Sequence, residues 1–235
     1  MKNFLRKIIS KFSKYSMIYE NSFDLIKTIN FHKIDLIVDI GASWGGYSRM
    51  LRRFGYKKEI ISIEPVNHSY KKLLKFCSKD EKWSSKRLII SNQKKFKLTI
   101  NVSKDFDNSS ILNSTELHKQ NHKDAAFFFK EEVECKSLDI LMNDYKDQKK
   151  NMMLKLDVQG SEADVLESGI NSLSKFKLVQ IELSLQKLYD SQILWKEIVD
   201  LMYKKNFEIW TIFPGYKQKA KGQLYQFDAI FFNKN

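Results

Sequence analysis

The sequence contains few of the residues that mark disulfide-rich or membrane-spanning proteins. Its 235 residues include two cysteines, two prolines and eight glycines. Cys77 and Cys135 form neither a disulfide framework nor a C-x-x-C metal pair. No apolar run approaches the roughly 20 residues that a helix needs to cross a bilayer. These absences predict a cytoplasmic chain with one principal domain, since single α/β domains commonly reach this length.

Arginine is also scarce, although the chain is strongly basic. The formal net charge is +13, and lysines spread along the whole chain supply most of it. Surfaces that read bases or grip phosphates favour arginine, whose planar guanidinium forms paired hydrogen bonds. The charge therefore argues against a nucleic-acid partner. The arginines are Arg6, Arg49, Arg52, Arg53 and Arg87.

The N-terminal segment MKNFLRKIISKFSKYS has the pattern of a basic amphipathic helix. Such a helix could contact an anionic membrane peripherally, at the inner membrane face. Packing of its apolar stripe against the domain is the favoured alternative. We expect an N-terminal helical extension over residues 1–34 and the main domain over residues 35–235. The apolar stripe consists of Phe4, Leu5, Ile8, Ile9 and Phe12.

Short apolar runs alternate with longer helical patterns through the rest of the chain. The runs IDLIVDIG, KEIISIEP, MMLKLDVQG and KLVQIELS predict strands, and amphipathic helices follow them. Gly55 is predicted to cap one helix at its C-terminus and Asn67 to cap another at its N-terminus. The last two strands, FEIWTIFPG and YQFDAIFFNK, have no helix between them. The order predicts an α/β fold with a doubly wound, mostly parallel sheet, to which a C-terminal hairpin adds an antiparallel strand.

Acidic side chains gather where predicted strands end. Asp39, Glu64, Asp157 and Glu182 follow four of the strands, in a chain that is otherwise basic. Ligands of a doubly wound sheet bind beyond the carboxyl ends of its strands. Pooled carboxylates at this edge therefore indicate a functional cleft.

The loop in LIVDIGASWGG narrows the choice of ligand. If Gly41 and Gly46 are the first and last glycines of a G-x-G-x-x-G loop, Ser43 occupies the position of the second. Asp39 would repel a diphosphate but could hold an ammonium group, directly or through water. S-adenosylmethionine carries an ammonium group and no phosphate, and Glu64 stands where an acidic residue accepts two ribose hydroxyls. The loop thus favours this cofactor over a nicotinamide dinucleotide, and disfavours an oxidoreductase.

In these loop residues and in the segments given below, the sequence resembles the FkbM family of S-adenosylmethionine-dependent methyltransferases. The resemblance implies a Rossmann-like class I methyltransferase fold with a seven-stranded sheet. It also implies O-methylation of a hydroxyl on a small molecule or glycan, such as a sugar or secondary metabolite. Ser43 departs from the family, which usually has asparagine there. The matching segments are VDIGASWGGYS, IEP at 63–65, Ser109 and Ser110, SLDIL at 137–141, LKLDVQGSEADVLESG at 154–169, IELSLQKLY at 181–189 and Asp228.

The chemistry of an alcohol defines the expected catalytic groups. A hydroxyl proton needs a base or a metal before the oxygen can attack a methyl group. Asp157 is the first candidate base and Glu182 the second, with Gln159 orienting either one. The two carboxylates could instead bind a divalent cation such as Mg²⁺. The predicted cofactor-binding residues are Asp39, Gly41, Ala42, Ser43, Gly45, Tyr47, Glu64, Pro65 and Ser110.

Two further features complete the predictions. His118 and His122 are four residues apart, but the sequence lacks the glutamate of an H-E-x-x-H zinc motif, so they are interpreted as a solvated helix face. The irregular stretch 103–132 is interpreted as a substrate lid. The alternative to an enzyme is a non-catalytic or membrane-associated binding protein on a degenerate methyltransferase fold.

Overall fold

A computed structural model describes residues 21–145, 151–218 and 221–235. The amphipathic pattern predicted over residues 1–16 lies outside them. The first described element is a helix, α1, over residues 21–31. Its residues Leu25 and Ile29 are buried in the core against the sheet. Among the described residues, no helix is both long enough and apolar enough to cross a membrane.

The chain then alternates between strands and helices. The helices are α2 (Gly46–Arg53), α3 (Asn67–Cys77), α4 (Glu116–Asn121), α5 (Leu138–Asn143), α6 (Glu162–Glu167) and α7 (Trp195–Lys204). The strands are β1 (Leu36–Ile40), β2 (Glu59–Ile63), β3 (Trp83–Lys86), β4 (Ile89–Ile90), β5 (Lys97–Ser103), β6 (Phe127–Lys136), β7 (Met152–Leu156), β8 (Phe176–Ser184), β9 (Phe207–Pro214) and β10 (Gln226–Asn233).

Seven of the strands form one sheet in the order β3-β2-β1-β7-β8-β10-β9. The neighbours from β3 to β8 are parallel, whereas β10 runs antiparallel to both β8 and β9. Strand order reverses between β1 and β7, which is the switch point where such sheets bind ligands. The predicted doubly wound, seven-stranded sheet with its antiparallel hairpin strand is confirmed.

Helices cover both faces of this sheet. Strands β1 and β7 are buried along their whole length, as expected of central parallel strands with helices on either side. Apolar residues of α5, α6 and α7 pack on one face. Apolar residues of α1, α2 and α3 pack on the other. The two cores hold the carboxyl ends of β1 and β7 side by side.

A second, three-stranded sheet has the order β4-β6-β5. It uses part of the stretch interpreted as a lid, because Phe127–Lys136 pairs antiparallel with Lys97–Ser103 along almost its whole length. The buried apolar side chains that pack together at this sheet are Val66, Ile89, Leu98, Ile100, Val102 and Val133.

Among the local features, one strand was missed, one N-cap prediction is wrong and one glycine at a helix end is confirmed. The edge strand β3 was missed because its sequence, WSSK, is mostly polar. It becomes a strand by pairing with β2. The buried Trp83 holds it there, since its indole N–H donates to Ser62 Oγ at 2.9 Å. The N-cap of α3 is Val66, not Asn67, whose backbone N–H donates instead to Glu131 Oε2 at 3.1 Å. Gly55 does follow the end of α2 with a φ of 96°, as predicted.

Candidate active site

The loop between β1 and α2 lies against the end of β7. Gly41 has a φ of 80°, and a Cβ at this position would lie 1.8 Å from the carbonyl oxygen of Asp157. Gly45, with a φ of 86°, is the N-cap of α2. Ser43, between them, also adopts a positive φ, of 47°. The loop therefore needs a residue without a side chain at Gly41, since any other would displace Asp157.

A cavity of about 200 Å³ opens between this loop and the second sheet. Of the predicted cofactor-binding residues, the cavity is lined by Gly41, Ser43, Glu64, Pro65 and Ser110. Asp157 and Gln159 form another part of its wall. The apolar part of the lining, which the sequence reasoning missed, includes Leu88, Ile89, Ile90, Ile100, Phe106 and Ile111.

Glu64 lies just beyond β2 and joins two loops. Its Oε2 accepts a hydrogen bond from the Ser43 backbone N–H at 2.7 Å, and its Oε1 accepts one from the Val66 N–H at 2.8 Å. Burial raises the pKa of this carboxyl to about 8, although the two N–H donors oppose the shift. A buried carboxyl at the cavity wall is suited to accept hydroxyl hydrogen bonds from a ligand.

Asp39 lies behind the cavity wall. It is inside β1, not after it, and is fully buried. Its Oδ2 accepts from Ser48 Oγ at 3.1 Å, and its Oδ1 is 3.4 Å from Lys155 Nζ. Burial raises its pKa. The direct contact with a cofactor ammonium is therefore not provided by this geometry, because the carboxylate faces protein groups. Ala42, Gly45 and Tyr47 are likewise outside the cavity lining.

Lys155 is a buried cation that the sequence reasoning did not identify. Its Nζ lies 3.2 Å from Asp157 Oδ2 as well as near Asp39, and 5.3 Å from the centre of the Tyr47 ring. Burial opposes its charge, but the two carboxylates outweigh that effect and raise its pKa. Lysine is rarely buried unless it is paired, so this ammonium belongs to the electrostatic design of the site.

The three predicted catalytic residues are brought together. Gln159 Nε2 donates to Asp157 Oδ1 at 2.7 Å and lies 3.4 Å from Glu182 Oε2. Tyr189 fixes the amide orientation, because its hydroxyl donates to Gln159 Oε1 at 2.8 Å. Glu182 lies inside β8, two residues before its end, not after the strand as predicted.

The loop that carries Gln159 has an unusual backbone. Gln159 has a φ of 54°, which is uncommon for a residue with a side chain. Glu162, at the start of α6, holds this loop, since its Oε1 accepts from the N–H groups of Val158 and Gly160, each at 3.1 Å. Ser110 Oγ donates to the Gln159 carbonyl at 2.7 Å. Glu162 and Ser110 thus fix the backbone that carries the Gln159 side chain, and Tyr189 fixes its amide.

A second carboxylate lies beside Glu182. Asp228 of β10 is directly opposite it in the antiparallel ladder. Gln180 Nε2 donates to Asp228 Oδ1 at 3.1 Å, and Gln226 Nε2 donates to Glu182 Oε2 at 2.6 Å. Tyr47 joins this group by donating from its hydroxyl to Gln180 Oε1 at 2.8 Å. Sequence comparison pointed to Asp228 only as a matching residue, without a role.

The loop after β5 closes one side of the cavity. Asp107 accepts from Ser43 Oγ at 2.6 Å, which ties this loop to the glycine loop. His118 is buried and contacts Tyr189, so the interpretation of a solvated histidine face is wrong for it. Burial lowers the pKa of His118 to about 4. The stretch after β5 therefore forms part of the cavity wall. His118 is buried because it packs against Tyr189 on the inner side of this stretch.

The carboxylates do not form a metal centre in the described part of the chain. No group of three or more histidine, cysteine, aspartate or glutamate side chains there is arranged to hold a metal ion. The donors Lys155, Gln159 and Gln226 engage oxygens of Asp157 and Glu182 that a cation would need. The residues present thus do not fit the predicted Mg²⁺ alternative.

Comparisons with known proteins found one family match and a related enzyme. Residues 39–209 match the methyltransferase FkbM domain. A 2-O-methyltransferase, NoeI, of Sinorhizobium fredii (strain NBRC 101917 / NGR234) is 39% identical over 59 residues. That match spans 25% of this chain and 24% of the relative, about a quarter of each.

Two solved structures align with most of this chain. Aeropyrum pernix fibrillarin with bound S-adenosyl-L-methionine has a TM-score of 0.47 and 9% identity, over 84% of this chain and 66% of that one. TrmK of M. capricolum with S-adenosyl-homocysteine has a TM-score of 0.45 and 12% identity, over 85% of this chain and 62% of that one. The family match covers most of the chain, and the chain belongs to the FkbM family of S-adenosylmethionine-dependent methyltransferases.

Proposed function

We propose that the protein transfers a methyl group from S-adenosylmethionine to a hydroxyl oxygen of a small-molecule or glycan acceptor. One observation carries the proposal: the hydrogen-bonded side chains of Asp157, Gln159 and Glu182 adjoin a cavity whose far wall carries Glu64. The cavity can hold a nucleoside, and the carboxylates can handle the proton of an alcohol.

The cavity residues fit the adenosine part of the donor. Glu64 would accept the ribose hydroxyls, because its oxygens still have lone pairs after accepting from Ser43 and Val66. The apolar wall formed by Leu88, Ile89 and Ile100 would pack against the flat adenine. When bound, the donor supplies an electrophilic methyl group on a sulfonium sulfur.

The chain's own part in the reaction is to orient the acceptor and receive its proton. Asp157 is the first candidate for the receiving carboxylate, because it borders the cavity and lies against Gly41. Glu182 is the second. Gln159 contacts both and orients them, while Lys155 balances the charge of Asp157. No metal ion takes part in this proposal.

Two observations support an oxygen acceptor. The relative that matches over a short segment is described as a 2-O-methyltransferase. The surplus of carboxylates suits a weakly acidic hydroxyl, which needs a base, better than a thiol, which ionises unaided nearer to neutral pH. The acceptor is therefore proposed as a hydroxyl of a sugar, glycan or secondary metabolite.

Calorimetric titration with S-adenosylhomocysteine tests the cofactor site, and NAD serves as the control for an oxidoreductase. We expect saturable binding of S-adenosylhomocysteine alone. Glu64→Ala should weaken it at least tenfold, about 1.4 kcal/mol. Asp144→Asn, which changes an exposed carboxylate paired with Lys86, should leave binding unchanged. Binding of NAD alone, or equal affinity in native protein and Glu64→Ala, would contradict the proposed site.

The acceptor class needs a separate assay. Methyl transfer from labelled S-adenosylmethionine would be measured across panels of free sugars, oligosaccharides and phenolic or polyketide alcohols. With an acceptor found, Asp157→Asn should lower kcat by about 10²–10⁴-fold, the usual contribution of a general base. Full activity in the double variant Asp157→Asn, Glu182→Gln would remove both carboxylates from the proposal.

A further inference from the structure

Glu182 and Asp228 form an unusual pair in the sheet. They face each other across antiparallel strands β8 and β10, on the same side of the sheet. Directly opposed residues in such a ladder have Cβ atoms about 4.5–5.5 Å apart, and like charges in this position destabilise the sheet. A pair of this kind is retained more easily if only one of its members is ionised.

The hydrogen-bond partners leave the charge of this pair unbalanced. Gln180 of β8 donates across the ladder to Asp228, and Gln226 of β10 donates across it to Glu182. Both donors are neutral amides. Lys155 contacts Asp157 and Asp39 instead. Four carboxylates therefore surround one ammonium. The titratable groups near the pair are Asp39, Tyr47, Lys155, Asp157, Glu162 and Tyr189.

We propose that Glu182 and Asp228 carry one proton between them in the donor-free protein, and release it when the sulfonium donor binds. A positive charge arriving near these carboxylates favours their ionised form. The inference rests on the proposed function, because it assigns the donor to the cavity that Asp157 and Gln159 border. It adds Asp228 to the site as a group that acts with Glu182.

The pair would then be ready to accept a proton only while the donor is bound. This inference selects Glu182, the second candidate, over Asp157 as the group that receives the proton. The acceptor oxygen bonds to the methyl carbon, the sulfur–methyl bond breaks with its electron pair left on sulfur, and the hydroxyl proton passes to Glu182. The product sulfur is uncharged, so the pair returns to its protonated state. The acceptor is thus deprotonated only next to a loaded donor.

The pKa shifts of the two carboxyls agree with one proton shared by the pair. Burial, followed by the charges of Asp157 and Asp228, raises the pKa of Glu182 well above its usual value. Burial also raises the pKa of Asp228 to about 6, against the hydrogen bond from Gln180. Both shifts oppose full ionisation of the pair, and near neutral pH Glu182 is the member that holds the proton while Asp228 is largely ionised.

Calorimetry can count the proton directly. S-adenosylmethionine and S-adenosylhomocysteine would each be titrated at about pH 7 in two buffers with different ionisation enthalpies. Both ligands have the same amino and carboxyl groups, so the difference in proton release reports the sulfonium charge. We expect S-adenosylmethionine to release about one proton more than S-adenosylhomocysteine.

Variants assign the proton to the pair. Asp228→Asn and Glu182→Gln should each abolish the difference in proton release while S-adenosylhomocysteine still binds. Glu208→Gln, which changes a half-exposed carboxylate paired with Lys234, should keep the difference. Thermal unfolding identifies any variant that fails to fold, and either variant of the pair suffices for the test.

The outcomes separate the two proposals. Equal proton release by both ligands in the native protein would overturn the inference and leave the proposed function standing. A difference that persists in a folded variant of either residue would show that another group releases the proton. Failure of both ligands to bind would overturn the proposed function, and the inference with it.

Discussion

Gly41 has less room than any ordinary residue would need. The carbonyl oxygen of Asp157 occupies the space where a side chain would begin. The same contact brings the glycine loop next to the candidate base. A single backbone position thus sets how closely the glycine loop approaches Asp157.

Gly41→Ala should destabilise the fold and weaken S-adenosylhomocysteine binding. The positive φ costs about 1–2 kcal/mol for alanine, and displacement of Asp157 adds to it. Gly55→Ala is the matched control, because Gly55 has a φ of 96° but no neighbour within 4 Å of an added Cβ. Denaturant unfolding and calorimetry would measure both effects. Equal losses of stability in the two variants would refute the close approach.

Tyr189→Phe should lower turnover without changing cofactor affinity. The variant removes the hydroxyl that donates to Gln159 Oε1, so the amide can rotate away from Asp157. Loss of one such hydrogen bond is worth about 1 kcal/mol, or roughly fivefold in kcat. Tyr56→Phe, which removes a hydrogen bond to Glu59 far from the site, is the control. Unchanged kcat in Tyr189→Phe would show that the amide is held by other contacts.

At the scale of elements, the connection from β7 to α6 is the part of the fold that the site depends on most. Its backbone passes through positive φ at Gln159 and Gly160. α6 begins after Ser161, whose side chain makes no capping hydrogen bond. Glu162 supplies the acceptor for this turn instead. A carboxylate in the first turn of α6 thus accepts hydrogen bonds from the loop that precedes the helix.

Glu162→Ala should cost more stability than Glu162→Gln. One oxygen, Oε1, accepts both loop N–H groups, and a glutamine oxygen can do the same. Alanine leaves two buried donors unpaired, at about 1–3 kcal/mol each. Urea unfolding of the two variants provides the comparison. Similar losses in both would mean that the charge of Glu162, not its hydrogen bonds, supports the loop.

At the scale of the whole molecule, several buried carboxyls have raised pKa values. Burial raises the pKa of Glu64 to about 8 and that of Glu162 to about 7, from ordinary values of 4.5. The folded chain therefore binds more protons than the unfolded chain between the ordinary pKa of 4.5 and these raised values. Their contribution to stability is present at low pH and is lost as pH rises through the folded-state pKa.

The free energy of unfolding should fall as the pH rises from about 6.5 to about 8. Each proton involved contributes about 1.4 kcal/mol per pH unit, so the expected fall is roughly 1–3 kcal/mol. His32 and His118 have lowered pKa values and act in the opposite direction, but only below their ordinary value of 6.5. Urea unfolding across this range measures the slope, and Glu64→Gln should flatten it. A rise in stability over the range would contradict the raised pKa of the buried Glu64.

Much of the fold could be predicted from local patterns. The apolar runs of β1, β2, β7, β8, β9 and β10 were predicted because buried strands need continuous or alternating apolar residues. The strand WSSK was not, because its residues are polar and only pairing with β2 makes it a strand. His118 was misplaced since its burial depends on Tyr189, which is distant in sequence.

The site was predicted in outline only. Gly41, Glu64, Asp157 and Gln159 were expected at one edge, and all four line the cavity. Lys155 was missed because a lysine in a strand usually faces solvent. Nothing in its local sequence shows that its ammonium is buried between Asp39 of β1 and Asp157 beyond β7. The apolar cavity wall was missed for a similar reason, since the second sheet that forms it is short and partly polar.

Local sequence patterns are enough to predict the strand and helix alternation, the glycine turn after β1 and the gathering of carboxylates toward one edge of the sheet. These depend on periodicity and on backbone freedom, which neighbouring residues reveal. Tertiary structure alone decided that Asp39 faces Lys155 and that Glu182 stands opposite Asp228. Such contacts join residues far apart in the chain, so they depend on strand order and register, which no local pattern contains.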